Sequence, residues 1–121
     1  DRTGYFFEAT VLADVPDNAE IMFEEPFGPV TPITRFDNAD DVIRRANSTP
    51  YGLAAYVFTS DPAQAESTAL SLDAGLVGVN TTNVAGPVVP FGGVRDSGIG
   101  REGAMEGVLE SMTTKTISTG V

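Results

Sequence analysis

An α/β fold with parallel strands is what this 121-residue sequence predicts. The first observation is a pair of short, almost unbroken apolar runs, at 53–59 and 76–80, of the kind buried parallel strands carry. The second is that helix patterns fall before and after the first of these runs, at about 38–47 and 62–74. Counting a further strand at 30–36, strand, helix, strand, helix, strand in turn implies parallel strands joined by right-handed crossovers, a βαβαβ unit.

Each element has a local reason. Tyr5-Phe6-Phe7 and Thr10-Val11-Leu12 are rich in strand formers, and Pro16-Asp17-Asn18 reads as a turn. Two prolines and a glycine make 24–29 a loop. In the strand at 30–36, Pro32 favours an edge or an end, because it has no N–H to give a ladder. Asp37 or Asn38 caps the first helix, Asp40 and Asp41 sit against the positive end of its dipole, and Val42, Ile43 and Ala46 form its apolar stripe. That helix must stop before Pro50, which pushes Thr49 toward extended geometry. Asp61-Pro62 opens the second helix, with proline in the favoured first position. Ala65, Ala69 and Leu72 supply its inner side, and Gly75 is the expected stop. A third helix pattern runs from Arg101 to Met112, followed by a strand pattern at 115–121 in which Ile117, Thr119 and Val121 alternate. This last strand has no obvious partner within the chain.

Composition narrows the function. An apolar fraction of 41% and a charged fraction of 20% suit a globular chain of one domain, or part of a larger one. Seventeen acidic residues against seven basic ones give a charge of −10, which repels phosphate backbones and anionic membrane surfaces. No nucleic-acid or membrane partner is therefore expected. The sequence has no cysteine and no histidine, so it has neither a thiolate nucleophile, nor a Ser-His or Cys-His pair, nor the usual zinc ligands. No metal site is expected. No apolar run approaches the roughly 20 residues of a membrane span, and no basic, apolar leader opens the chain. The cytoplasm is the expected compartment, which leaves the Asn47-Ser48-Thr49 and Asn80-Thr81-Thr82 glycosylation patterns as chance matches.

The chain's organising stretch is 90–102, with four glycines in thirteen residues and no helix or strand period. It should be an ordered loop. Gly98-Ile99-Gly100-Arg101-Glu102-Gly103 fits a dinucleotide fingerprint letter by letter, but no strand precedes it and the chain ends before the acidic partner that the motif needs. Gly93 to Gly98 has phosphate-loop spacing, but Ile99 stands where the lysine belongs. Both matches are set aside in favour of a tight crossover into the last helix. Glu24 and Glu25 are neighbours in sequence and so diverge, which disfavours a catalytic carboxylate pair. A single carboxylate accepting two hydroxyls remains reasonable chemistry. Asn80, at a strand end, is read as a structural tie to the loop that follows.

Four blocks, in order, resemble the C-terminal part of the aldehyde dehydrogenase superfamily. They are Glu25-Pro26-Phe27-Gly28-Pro29; Ala46-Asn47 with Tyr51-Gly52-Leu53; Ala74-Gly75 leading to Val79-Asn80; and Pro90-Phe91-Gly92-Gly93 with Ser97-Gly98 and Gly100-Arg101-Glu102. The likeness runs from Gly4 to Lys115 and corresponds to about the last quarter of a family member. It implies a three-layer catalytic domain of which 1–113 is the C-terminal part, with 114–121 leaving it as an oligomerisation strand. It further implies that Glu25 contacts the nicotinamide ribose of NAD or NADP, that Phe27 packs near that ribose and ring, and that Asn83, Ala85 and Phe91 border the aldehyde pocket. Phe91 fits a core anchor equally well. In the family a cysteine thiolate attacks the aldehyde carbon, hydride passes to NAD(P), and an activated water releases the acid. With no cysteine, this chain holds none of the catalytic residues and is expected to be inactive alone. Arg95 stands where relatives usually have lysine and Ala9 where they often have proline. Val77-Gly78-Val79-Asn80 and Gly103 look most like the succinate-semialdehyde dehydrogenase group, while Ala85 departs from the hydroxyl residue that members of that group can carry there.

Two readings follow from the sequence. One is a fragment of an aldehyde-oxidising enzyme that acts on a small aldehyde and forms homo-oligomers. The other is a non-catalytic module that associates with partners through its last strand, since an unpaired edge is a template for association. In either case exposed apolar surface should drive self-association.

Overall fold

A computed structural model describes residues 3–120. The chain divides into two compact units, residues 1–49 and 50–121. In the first, β1 (Thr10–Leu12) pairs in parallel with β2 (Val30–Pro32), with Thr10 opposite Val30 and Leu12 opposite Pro32. Tyr5-Phe6-Phe7 lies outside any strand, and β2 ends at Pro32 rather than reaching Phe36. The contact runs one residue past the proline, with Ile33 N–H donating to the Leu12 carbonyl at 2.7 Å, so the missing N–H of Pro32 costs the ladder nothing. A 3-10 turn at Glu20–Met22 lies between the strands.

Helix α1 (Ala39–Ala46) starts where Asn38 accepts a hydrogen bond from the Asp41 N–H at 3.1 Å. Arg45, only 16% exposed at its side chain, fastens the helix to the rest of the unit. It donates to the Arg35 carbonyl at 3.0 Å and the Thr34 hydroxyl at 2.7 Å, and it pairs with Asp17.

The second unit is built on one strand-helix-strand crossover. β3 (Ala54–Val57) and β4 (Leu76–Val79) pair in parallel, Ala54 opposite Leu76 and Val57 opposite Val79, and α2 (Pro62–Ser71) joins them and packs on both. Asp61 caps α2 by accepting from the N–H groups of Ala63 and Gln64 at 2.9 and 3.2 Å, with Pro62 at the first position. The helix ends at Ser71, four residues before the expected glycine stop. Gly75 serves a different purpose, described below.

The parallel α/β architecture is as expected, but its strands fall into two two-stranded sheets. The run at 53–59 was expected to be buried on both faces, and instead Tyr56 in β3 is 47% exposed and Phe58, just beyond it, 64%. One helix covers a single face of so narrow a sheet. Among the described residues the buried hydrophobic side chains are Ala65 on α2 and Leu76 on β4.

A 3-10 turn at Arg95–Ser97 and helix α3 (Ala104–Glu110) complete the unit. Residues 113–120 form no regular element, so the strand expected at 115–121 is not formed there, and Val121 lies outside the described residues. No helix among the described residues is long and apolar enough to cross a membrane.

Candidate functional site

The site in the second unit is a cluster of backbone contacts made by three separated glycine blocks. The Gly52 carbonyl accepts from both Gly75 N–H (2.9 Å) and Val94 N–H (3.0 Å), while its own N–H donates to the Ser97 hydroxyl at 2.9 Å. The Asp96 N–H reaches the Pro50 carbonyl at 3.1 Å. A side chain at Gly75 would place its Cβ 1.8 Å from the Gly92 carbonyl oxygen, so only glycine lets the two segments pass this closely. At Gly93 a Cβ would stand 2.5 Å from that of Ser97. These contacts lay the loop at 90–102 across the end of the β3–β4 sheet.

The loop is a closed device. Phe91 and Glu102 exchange two backbone hydrogen bonds, at 2.8 and 2.7 Å, in an isolated antiparallel bridge. Within it, Arg101 Nη1 donates to the carbonyls of Gly93 (2.9 Å) and Gly100 (2.7 Å). Gly98, Gly100 and Gly103 take φ of 134°, 79° and 69°, so the crossover depends on left-handed backbone as the sequence suggests. The dinucleotide match is rejected by the structure too: a 3-10 turn, not a strand, precedes Gly98, and Gly103 merely caps α3.

Two cavities flank this loop. One, of about 700 Å³, is lined by Leu76, Gly78, Thr81, Asn83, Ala85 and Arg101 among others. The other, of about 350 Å³, has Phe91, Ser97, Ile99, Arg101 and Glu102 in its wall. The structure therefore brings Asn83 and Ala85 together, places Phe91 in the neighbouring cavity, and makes Arg101 common to both. Asn83 is held by its N–H donating to the Thr81 hydroxyl at 3.1 Å, and both Asn83 and Ala85 are exposed. Phe91 is half-buried, as fits a wall and an anchor alike.

Glu25 and Phe27 lie in the first unit, on the loop between the 3-10 turn and β2, and both are exposed, Phe27 by 95%. Tight turns shape that loop: Gly28 N–H donates to the Pro26 carbonyl at 2.9 Å, and Val30 N–H to Gly28 at 2.8 Å. A carboxylate and an aromatic side chain are thus both presented outward from one loop.

Asn80 is structural, but its partner differs from the one expected. It takes φ 53° and ties back to the neighbouring strand's end, accepting from Thr59 N–H and donating to the Thr59 carbonyl, both at 3.0 Å. In this way it acts as a side-chain continuation of the β3–β4 ladder. Sequence reasoning also missed the two carbonyls held by Arg101 and the ion pair of Arg95 with Asp73. Contacts from a side chain to distant backbone leave no periodic trace; the one available signal was an arginine set directly after a pair of spaced glycines. No cluster of three or more acidic, histidine or cysteine side chains able to hold a metal occurs among the described residues.

Residues 1–117 match the model of the aldehyde dehydrogenase family. The chain belongs to that family. It is 47% identical over 97% of its length to a succinate-semialdehyde dehydrogenase of Paenarthrobacter nicotinovorans, covering 26% of that protein. It is 42% identical over its whole length to the NADP(+) succinate-semialdehyde dehydrogenase of Escherichia coli, covering 25% of it. Among solved structures, an NAD+ complex of an aldehyde dehydrogenase from Bacillus cereus superposes with a TM-score of 0.85 at 43% identity, over 88% of this chain and 22% of that one. The chain thus spans about a quarter of the length of the curated relatives it matches. In this family member the contacts of Gly52, Gly75, Gly92, Gly93 and Ser97 account for three of the four resemblance blocks at once. Those residues fix where the loop crosses the sheet.

Proposed function

We propose that this chain is the C-terminal quarter of an NAD(P)-dependent aldehyde dehydrogenase that oxidises the semialdehyde of a dicarboxylic acid, succinate semialdehyde first among candidates, to the diacid. The observation that carries the reading is the glycine-locked loop, which sets Asn83 and Ala85 on one cleft and Phe91 beside it. Relatives named as succinate-semialdehyde dehydrogenases support the substrate.

The fit to a nicotinamide cofactor is confined to one end of it. The exposed Glu25 carboxylate offers lone pairs for two ribose hydroxyls, and Phe27 offers an aromatic face on the same loop. Nothing among the described residues supplies a phosphate cradle, since Gly98 follows a 3-10 turn. When bound, NAD(P) accepts the hydride; Glu25 and Phe27 orient its ribose, and Asn83, Ala85 and Phe91 shape the aldehyde's surroundings. The nucleophile lies elsewhere, because a thiolate cannot come from a chain without cysteine. Residues 114–121 act as the strand that joins subunits into a homo-oligomer.

The test is NAD(P)H production from succinate semialdehyde. The pure 121-residue chain gives none, and saturable turnover by it would refute the assignment of chemistry to other residues. In an active protein that contains these residues, Glu25→Gln raises KM for the cofactor with a smaller effect on KM for the aldehyde. An unchanged cofactor KM would remove Glu25 from the ribose. The module reading predicts instead partner binding through 114–121 with no cofactor dependence at any length of chain.

A further inference from the structure

The segment that carries Asn83 and Ala85 is hung from one residue. β4 ends at Val79, and the Asn80 N–H still donates to the Val57 carbonyl of β3 at 2.8 Å. Beyond that rung the Asn80 side chain takes over, accepting from the Thr59 N–H and donating to the Thr59 carbonyl, both at 3.0 Å. A side-chain amide does both at once because it carries an acceptor and a donor together. Asparagine also tolerates the left-handed backbone that Asn80 adopts at φ 53°. After this turn the chain folds back over β4, so closely that a Cβ at Gly78 would stand 2.4 Å from the Thr81 carbonyl oxygen and 2.9 Å from the Val84 side chain. The Asn83 N–H then fastens to the Thr81 hydroxyl at 3.1 Å.

The other jaw of this clamp is itself fixed. The Thr59 hydroxyl donates to the Gln64 side-chain oxygen at 2.9 Å and accepts from the Asp61 N–H at 3.2 Å, and Asp61 is the cap of α2. Hydrogen bonds therefore run from the start of α2 through Thr59 and Asn80 to the turn that bears the pocket wall. Asn80 does not itself line the cleft of Asn83 and Ala85.

We propose that Asn80 is a positioning residue for the aldehyde end of the pocket: by clamping Thr59 it sets where the segment 81–85 lies, and so where Asn83 and Ala85 stand toward the substrate. The proposal rests on the functional reading above, which makes those two residues part of the wall. It gives Asn80 no contact with substrate or cofactor. Glu25 and Phe27 belong to the other unit, so the effect falls on the aldehyde and not on the ribose.

Two variants test this. Asn80→Gly accepts the backbone but removes the clamp; Asn80→Asp keeps the size and the acceptor but turns an oxygen toward the Thr59 carbonyl. In the 121-residue chain, NMR should show the Asn83 and Val84 amide signals of both variants shifted, with those of Gly75 and Leu76, at the other end of β4, in place. Amide exchange at Thr59 should rise roughly tenfold more than at Leu76. In an active protein that contains these residues, both variants should raise KM for succinate semialdehyde roughly tenfold and leave KM for the cofactor within about twofold. A parental aldehyde KM in either variant overturns the proposal, provided that Asn83→Ala raises it. If Asn83→Ala leaves that KM unchanged, the wall reading itself falls and the proposal with it. Equal rises in both KM values, or signals displaced throughout β4, would make Asn80 a general prop of the sheet and overturn the positioning role.

Discussion

Replacing Gly75 by alanine tests whether the glycine contacts hold the loop. The added Cβ would sit 1.8 Å from the Gly92 carbonyl oxygen, 2.9 Å from its carbon and 3.0 Å from Gly93 Cα. All three are backbone atoms, so no side-chain rotation relieves the clash. Restoring ordinary contact requires the loop to retreat by about 1.5 Å. That movement stretches Val94 N–H away from the Gly52 carbonyl it now reaches at 3.0 Å, and strains the Gly75 bond to the same oxygen. Overpacking of this kind costs about 1–3 kcal/mol, and each lost hydrogen bond about 1 kcal/mol. A total near 3 kcal/mol corresponds to a roughly hundredfold loss of protection against amide exchange at Gly75, Leu76 and Val94, at about 1.4 kcal/mol per tenfold. Amide hydrogen exchange followed by NMR on the 121-residue chain reads this directly. Gly28→Ala is the control, because nothing lies within 4 Å of its Cβ and its backbone is not left-handed. It should leave the fold unchanged although Gly28 belongs to a resemblance block. Protection at Leu76 and Val94 within threefold of the parent in Gly75→Ala would show that the loop is not held by this contact.

Other substitutions separate local causes. Asn80→Ala should destabilise the β3–β4 unit by about 1–3 kcal/mol, since two hydrogen bonds to Thr59 are lost and alanine tolerates φ 53° poorly. Asn80→Gly should recover the backbone part of that loss, so denaturant midpoints ordered parent, glycine, alanine are expected and equal midpoints for the two variants would refute the strain argument. Arg45→Met should cost the first unit about 1–3 kcal/mol through the Arg35 carbonyl, the Thr34 hydroxyl and Asp17. Faster exchange at Val42 and Asn47, on α1 and its cap, with Leu76 unaffected, is the expected pattern.

Much of the fold was legible because its signals are local. Asn38 and Asp61 cap the helices as their residue types predict, and Pro62 and Pro32 stand where a missing N–H is harmless. The errors occur where a local rule competed with a distant contact. Gly75 was expected to end α2 because glycine commonly follows a helix. Leu72 already terminates it in extended geometry, and the glycine is required by Gly92, seventeen residues further on. Similarly, the run at 53–59 carries the unbroken apolar composition of a strand covered on both faces, yet Tyr56 and Phe58 are open. Composition records the surroundings a strand is suited to, and in this chain one helix cannot supply them.

The site was legible in a different sense. No periodicity or charge pattern singles out Asn83 or Ala85, and exposure gives neither a burial signal. Their pairing on one cleft depends on Gly78, where a Cβ would meet the Thr81 carbonyl at 2.4 Å and the Val84 side chain at 2.9 Å, so the turn after β4 must lie flat on the strand. That is a constraint on absence of a side chain, and it reads in sequence only as one more glycine. The same holds for Gly52, whose single carbonyl receives the strand entry at Gly75 and the loop at Val94. The cleft that Asn83 and Ala85 line is therefore shaped mainly by glycines, which close backbone contacts require and which carry no side chain to mark them. A substitution at Gly52, Gly75 or Gly93 should disturb Asn83 and Phe91 more than many changes made at the wall itself.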